Sequence, residues 1–163
     1  MTALFPGSFD PITRGHIDII ERAARIFGTV IIAVFDNPVK KPLFDLQGRI
    51  ELIYKTTRHL PNVKIDAFSG LLVDYAKNNE INVLIRGVRT IADFEIESQR
   101  AAANRLLGNG IEMLLLVADP KYSMISSSMV REIAITAHET QLEAYLRPVV
   151  PSEVIAAISA KKK

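Results

Sequence analysis

The stretch Phe5-Pro6-Gly7-Ser8-Phe9-Asp10-Pro11-Ile12-Thr13-Arg14-Gly15-His16 decides how this chain is read. Ala3-Leu4-Phe5 is apolar, Pro6-Gly7 interrupts it, and from about Gly15 the sequence takes on helical period. A strand, a tight loop and a helix start follow one another, with the Ser8 hydroxyl and the His16 imidazole at the junction. The first N–H groups of a helix have no intrahelical partner and lie at the positive end of its dipole, so such a junction receives anions. A phosphate-bearing ligand at the first strand–helix turn is expected. Gly15 would let backbone approach that ligand, and His16, in the first helical turn, would donate to a phosphate oxygen.

Downstream, short apolar runs alternate with amphipathic segments. Val30–Phe35, Val83–Ile85 and Met113–Val117 are apolar throughout, the pattern of strands covered on both faces. Val63–Phe68 alternates apolar with polar residues and reads as a strand nearer the sheet edge. In the first helix Ile19, Ile20, Ala23, Ile26 and Phe27 form one stripe, with Gly28 as its expected stop. Further helices are predicted at about 46–60, 71–78, 91–107, 128–137 and 152–160. This alternation predicts an α/β fold: a five-stranded, mostly parallel sheet flanked by helices, with right-handed crossovers. No repeat, low-complexity linker or composition break divides the 163 residues, so one domain is expected over 1–160, with 161–163 a basic tail.

The formal charge is +2, but Lys161-Lys162-Lys163 supply three of the twenty basic residues, leaving seventeen against eighteen acidic ones. A near-neutral body lacks the massed basic face of a nucleic-acid binder, and no such partner is expected. The absence of cysteine excludes disulfides and thiolate metal sites and fits a reducing cytoplasm. No apolar run approaches the ~18 residues of a membrane span, and the N-terminus has no signal-like pattern. A cytoplasmic protein with no membrane partner is expected.

Ligands of parallel sheets sit beyond the carboxyl ends of the strands. Those ends carry Gly7-Ser8-Phe9, then 36–41 with Lys40 and Lys41, then Ser69-Gly70-Leu71-Leu72, then Arg86-Gly87-Val88-Arg89, then 119–128. Lysine on a loop suits a phosphate as a point charge, and the arginine fork suits it bidentately. Asp93, Glu95 and Glu97 read by default as a solvated helix face. Ser126-Ser127-Ser128 opens a helix without a capping box, and Arg131 lies where the helix dipole disfavours a cation unless an anion binds. That combination reads as a second phosphate cradle. His59 and His138 read as surface residues. The chain contains no Gly-x-x-x-x-Gly-Lys-[Ser/Thr], no Gly-x-Gly-x-x-Gly, no Gly-x-Ser-x-Gly and no metal-ligand spacing of His, Asp and Glu.

Gly7-Ser8-Phe9-Asp10-Pro11-Ile12-Thr13-x-Gly15-His16, together with Ile125-Ser126-Ser127-Ser128, resembles the nucleotidyltransferases of the [His/Thr]-x-Gly-His superfamily. Lys40-Lys41-Pro42, Leu84-Ile85-Arg86-Gly87-Val88-Arg89 and Asp93-Phe94-Glu95-x-Glu97 extend the resemblance to the bacterial phosphopantetheine adenylyltransferases. Ser8 stands where threonine is common, and Tyr122 where tryptophan is often found. The resemblance implies a Rossmann-like domain that moves AMP from ATP to 4′-phosphopantetheine, giving dephospho-coenzyme A and pyrophosphate. It implies His16 as catalytic residue. Ser8, Lys40, Leu72 and Arg86 would hold the acceptor. Ser8, Phe9, His16, Gly87, Val88, Arg89, Glu97, Tyr122, Ser123, Met124, Ile125, Ser126, Ser127 and Ser128 would hold ATP. Mg²⁺ would arrive with ATP, with no metal ligand from the chain, and a homohexamer is implied. A sister enzyme acting on nicotinamide mononucleotide would share the outer motifs but not the Arg86 block. A non-catalytic nucleotide sensor would be expected to lack His16 or the serine run.

Overall fold

In a computed structural model, residues 1–36, 41–108 and 110–162 are described. Five strands form one all-parallel sheet: β1 (Thr2–Gly7), β2 (Thr29–Phe35), β3 (Val63–Phe68), β4 (Val83–Val88) and β5 (Glu112–Val117), in the order β3-β2-β1-β4-β5. Among the described residues seven helices flank it: α1 (Arg14–Ile26), α2 (Leu46–Thr57), α3 (Leu72–Asn78), α4 (Ile91–Gly108), α5 (Ser127–Thr136), α6 (Glu139–Leu146) and α7 (Ser152–Lys162). One face of the sheet packs Phe5, Val30, Ile32 and Ile85 on Ile19, Ile20 and Ala23 of α1, with α2 and α5–α7 completing the layer. The other face packs Leu4, Ala33 and Leu84 on Val73 and Ala76 of α3. The core strand β1 is buried along its middle, which is why its residues show no alternation.

The strand order reverses between β1 and β4, and this switch point positions the site. β1 and β2 pair from Thr2↔Thr29 to Gly7↔Val34, whereas β1 and β4 register only at Leu4↔Leu84. Beyond that bridge Pro6 has no N–H to offer β4, and its carbonyl accepts instead from the Arg86 side chain at 2.6 Å. The two central strands thus part at their carboxyl ends and open a crevice.

Several expectations need correction. The apolar run 113–117 is an edge strand, with Leu114 37% and Val117 67% exposed. Its apolarity comes from partial cover by α4. β3, the alternating run, is the opposite edge, as read. Arg86-Gly87-Val88 lie inside β4 rather than after it, because the ladder to β5 continues to Val88↔Val117. Gly28 does not stop α1; Phe27 caps it by turning extended straight into β2. Lys161 and Lys162 continue α7 instead of forming a tail. Lys161 Nζ lies 5.3 Å from the centre of the Phe44 ring, and Lys162 Nζ donates to the Ala137 carbonyl.

Candidate active site

The β1–α1 turn is built around two aromatic contacts and a cap. Phe9 adopts φ 47°, a left-handed conformation that costs a non-glycine residue about 1–2 kcal/mol. Its ring holds it there, packed edge-on to Phe5 and to His16 with centroids 5.5 and 5.2 Å apart. The same ring explains Gly7, where an added Cβ would lie 3.0 Å from Phe9 Cζ. Strain kept at a turn that lines a cleft is characteristic of a ligand site.

Thr13 caps α1. Its Oγ1 accepts from His16 N, and its own backbone N–H donates to His16 Nδ1 at 3.1 Å. This is a capping box with histidine where Glu or Gln is usual. Because Nδ1 accepts, the neutral ring carries its proton on Nε2, the one remaining donor. Burial of the ring, and then the positive charges of Arg86 and Arg89, lower the His16 pKa from 6.5 to about 4. The site therefore holds a neutral imidazole that donates from Nε2.

At the end of β4, Arg86 makes a fork to the two carboxylate oxygens of Glu97, Nε and Nη2 each at 2.9 Å. Arg100 adds a third bond to Glu97 at 2.6 Å. Glu97 is 5% exposed, so the expectation of a solvated face fails there. The α4 helix turns this one carboxylate inward because Arg86 emerges from the sheet beneath it. Burial alone would raise the Glu97 carboxyl, but the Arg86 and Arg100 guanidiniums outweigh it and hold it below the usual carboxylate range. One N–H on each of Arg86 Nη1 and Nη2 remains for a ligand. Gly87 is required by packing, since a Cβ there would meet Ile19 Cγ1 at 3.1 Å. Arg89 is steered by Asp93 at 3.2 Å and by the Ile125 carbonyl at 2.7 Å.

Facing this is the start of α5. Ser126 is its N-cap, accepting from Met129 N, and Ser127 Oγ donates to the Pro11 carbonyl at 2.8 Å. Arg131 does not need an anion to be accommodated: it donates to the Asp10 carbonyl at 2.7 Å and to Ser128 Oγ at 2.9 Å. It ties the α5 start to the first turn. The backbone N–H groups of Gly15 at the start of α1, and of Ser127 and Ser128 at the start of α5, have no protein acceptor among the described residues.

These elements enclose a cleft of about 420 Å³ at the switch point. Of the residues singled out from sequence, it is lined by Ser8, Phe9, His16, Arg86, Gly87, Arg89, Ile125, Ser126, Ser127 and Ser128, and among the described residues no acidic one lines it. Six others stand outside its wall. Glu97 lies behind Arg86, Val88 is buried in β4, and Leu72 packs at the start of α3 against the second core cluster. Tyr122 and Ser123 are partly buried in and after a 3-10 turn (Pro120–Tyr122), with the Tyr122 Cβ beside Gly15. Met124 is 82% exposed. Lys40 lies outside the described residues; Lys41 is exposed. His59 and His138 are surface residues, as read; His59 meets Glu21 at 3.1 Å.

Sequence reasoning missed three groups that support the cleft. The Asp10 carboxylate, 6% exposed, accepts from the backbone N–H of Leu43 and of Phe44 at 2.8 and 2.9 Å. Thr13 sets the His16 tautomer; its Thr-x-x-His spacing was the available signal. Arg49, buried in α2, reaches the Ser8 carbonyl at 3.0 Å and carries no local sequence signal.

Residues 4–133 match the cytidylyltransferase-like family. A phosphopantetheine adenylyltransferase of Actinobacillus succinogenes is 47% identical over 162 residues, covering 99% of this chain and 97% of that protein. Another, from a Nostoc species, is 54% identical over 134 residues, covering 82% of this chain and 70% of the relative. The chain belongs to the phosphopantetheine adenylyltransferases of the cytidylyltransferase-like family. Among solved structures, the Plasmodium falciparum nicotinic acid mononucleotide adenylyltransferase complexed with NaAD matches with a TM-score of 0.67 at 16% identity, covering 96% of this chain and 93% of that one. At that identity the likeness is one of fold.

Proposed function

We propose that the protein transfers AMP from ATP to 4′-phosphopantetheine, releasing pyrophosphate and forming dephospho-coenzyme A. One observation carries the reading: among the described residues, two helix N-termini with unpartnered N–H groups, two arginines and no carboxylate meet in one cleft. That is a receptacle for two phosphate-bearing substrates at once. Relatives named phosphopantetheine adenylyltransferase, 47% and 54% identical and one of them matched over nearly its whole length, support this acceptor over the nicotinamide mononucleotide of the sister enzymes.

In this reading the acceptor phosphate lies toward Ser8 and Arg86, with Lys40 and Leu72 completing its site. The triphosphate lies toward Arg89 and the N–H groups of Ser127 and Ser128, with Phe9, Gly87, Val88, Glu97 and the 122–126 segment completing the nucleotide site. An acceptor phosphate oxygen attacks the α-phosphorus, and the bond from that phosphorus to the bridging oxygen of pyrophosphate breaks. No general base is needed, because a phosphate monoester with a second pKa near 6 is largely dianionic at pH 7. The neutral His16 donates from Nε2 to the charge that develops on the α-phosphoryl oxygens, and the cleft supplies positioning.

Mg²⁺ belongs to this reading as part of the MgATP substrate. Among the described residues no group of three or more His, Asp or Glu could hold a metal, so the nucleotide phosphates would carry it. A hexamer belongs to it as well, supported by exposed Ile91, Phe94, Leu106, Leu107 and Val117 along α4 and β5. The expected compartment is the cytoplasm, supported by the cysteine-free sequence. Among the described residues no helix is long and apolar enough to cross a membrane.

Pyrophosphate release from MgATP tests the proposal with three additions: phosphopantetheine, nicotinamide mononucleotide, or no acceptor. Release with phosphopantetheine alone is expected. Release only with the mononucleotide, or equally without acceptor, would overturn it.

A further inference from the structure

Arg49 is the most deeply buried charged side chain near the cleft, 3% exposed, yet it does not line it. It enters from the first turn of α2 at the point where β1 and β2 stop pairing, just beyond Gly7↔Val34. Nη1 donates to the Ser8 carbonyl at 3.0 Å and to the Phe35 carbonyl at 2.9 Å. Nη2 pairs with the half-exposed Asp36 carboxylate at 3.0 Å. The guanidinium therefore replaces the missing rung between two diverging strand ends. Its Nε is buried with no partner among the described residues.

Such an arrangement is a poor device for stability alone. Burying a guanidinium beside a single, half-exposed carboxylate costs desolvation, and a well-packed apolar side chain would serve the fold as well or better. An orphaned buried donor adds to the cost. What an apolar residue cannot do is fix two carbonyl oxygens and a carboxylate at set distances from one plane.

We propose that Arg49 is a positioning residue for the acceptor half of the site: it locks the Ser8 peptide against the end of β2, and so sets the direction of the Ser8 hydroxyl. The proposal rests on the reading of Ser8 as an acceptor-phosphate contact. Arg49 touches neither substrate in it. Ser8 is itself exposed at the cleft, and its hydroxyl makes no bond among the described residues, so its direction depends on its backbone being held.

The test compares wild type with Arg49→Lys and Asp36→Asn. Arg49→Lys keeps the charge but not the planar fork, and about a tenfold rise in KM for phosphopantetheine is expected, with KM for ATP moving less than about twofold. Asp36→Asn removes only the outer tether, and a rise of about threefold in the same parameter is expected. Amide hydrogen exchange across residues 7–10 should accelerate about tenfold in Arg49→Lys. If Arg49→Lys does not fold, Asp36→Asn decides. A fall in kcat with both KM values unchanged, equal changes in both KM values, or unaltered exchange would overturn the proposal. If wild type fails to use phosphopantetheine while exchange still accelerates, the substrate reading falls and the clamp stands.

Discussion

Lowering the pH from 7 to 5, in wild type and in a His16→Asn variant, isolates the environment of one imidazole. In the unfolded chain His16 titrates at its ordinary 6.5; in the folded cleft, burial and then Arg86 and Arg89 hold it at about 4. The folded pKa is depressed, so the stabilising preference is full above 6.5 and is lost as pH falls toward 4, because the unfolded state takes up the proton first. About 1.5 pH units separate 6.5 from 5, and at about 1.4 kcal/mol per unit the wild type should lose about 2 kcal/mol to this ring. The part of the ring edge that meets solvent at the cleft would reduce that figure. Urea denaturation at the two pH values measures it as a shift in midpoint at constant slope. The variant, whose amide does not titrate, should lack that component, and His59 and His138 cancel in the comparison. Equal losses in the two proteins would refute the assignment of a neutral His16 ring in the folded cleft.

Glu97→Ala should cost about 3 kcal/mol in the same urea assay, because it leaves Arg86, 24% exposed, without its carboxylate; a loss under about 0.5 kcal/mol would deny the pair a structural role. Gly7→Ala should cost about 1–3 kcal/mol and lower kcat/KM, since the methyl would press on the Phe9 ring. Thermal melting and steady-state rates would both have to stay at wild-type values to contradict it.

The parts of this molecule that sequence revealed are those whose causes are local. An apolar opening followed by a helical stripe marks a strand–turn–helix whatever lies around it, although Pro6-Gly7 is not the turn: both residues stay in β1, paired with Ala33 and Val34. Alternation in 63–68 shows directly that only one face of β3 is covered. The serine run marks a helix start in the same way. What escaped was set by distant partners. Glu97 is a buried anchor only because Arg86, eleven residues earlier, emerges beneath α4; by spacing it resembles Asp93 and Glu95. Arg49 lies on a helix with little amphipathic signal, and its meaning comes from where β1 and β2 diverge. Arg131 has the local signature of an anion ligand, and the Asp10 carbonyl that satisfies it instead lies 121 residues away in the chain. The 113–117 run gave no sign of an edge, because apolar cover by a helix and by a neighbouring strand leave the same composition.

In the proposed reaction His16 acts on the phosphoryl group in flight rather than on bound nucleotide, a role assigned by this reading. That role is tested most directly by measuring kcat together with the ATP dissociation constant, by calorimetry, in His16→Ala. A fall in kcat of about a hundredfold or more is expected, with ATP affinity changed by less than about threefold. Turnover near the wild-type value, or a loss of ATP binding large enough to explain the whole deficit, would contradict it.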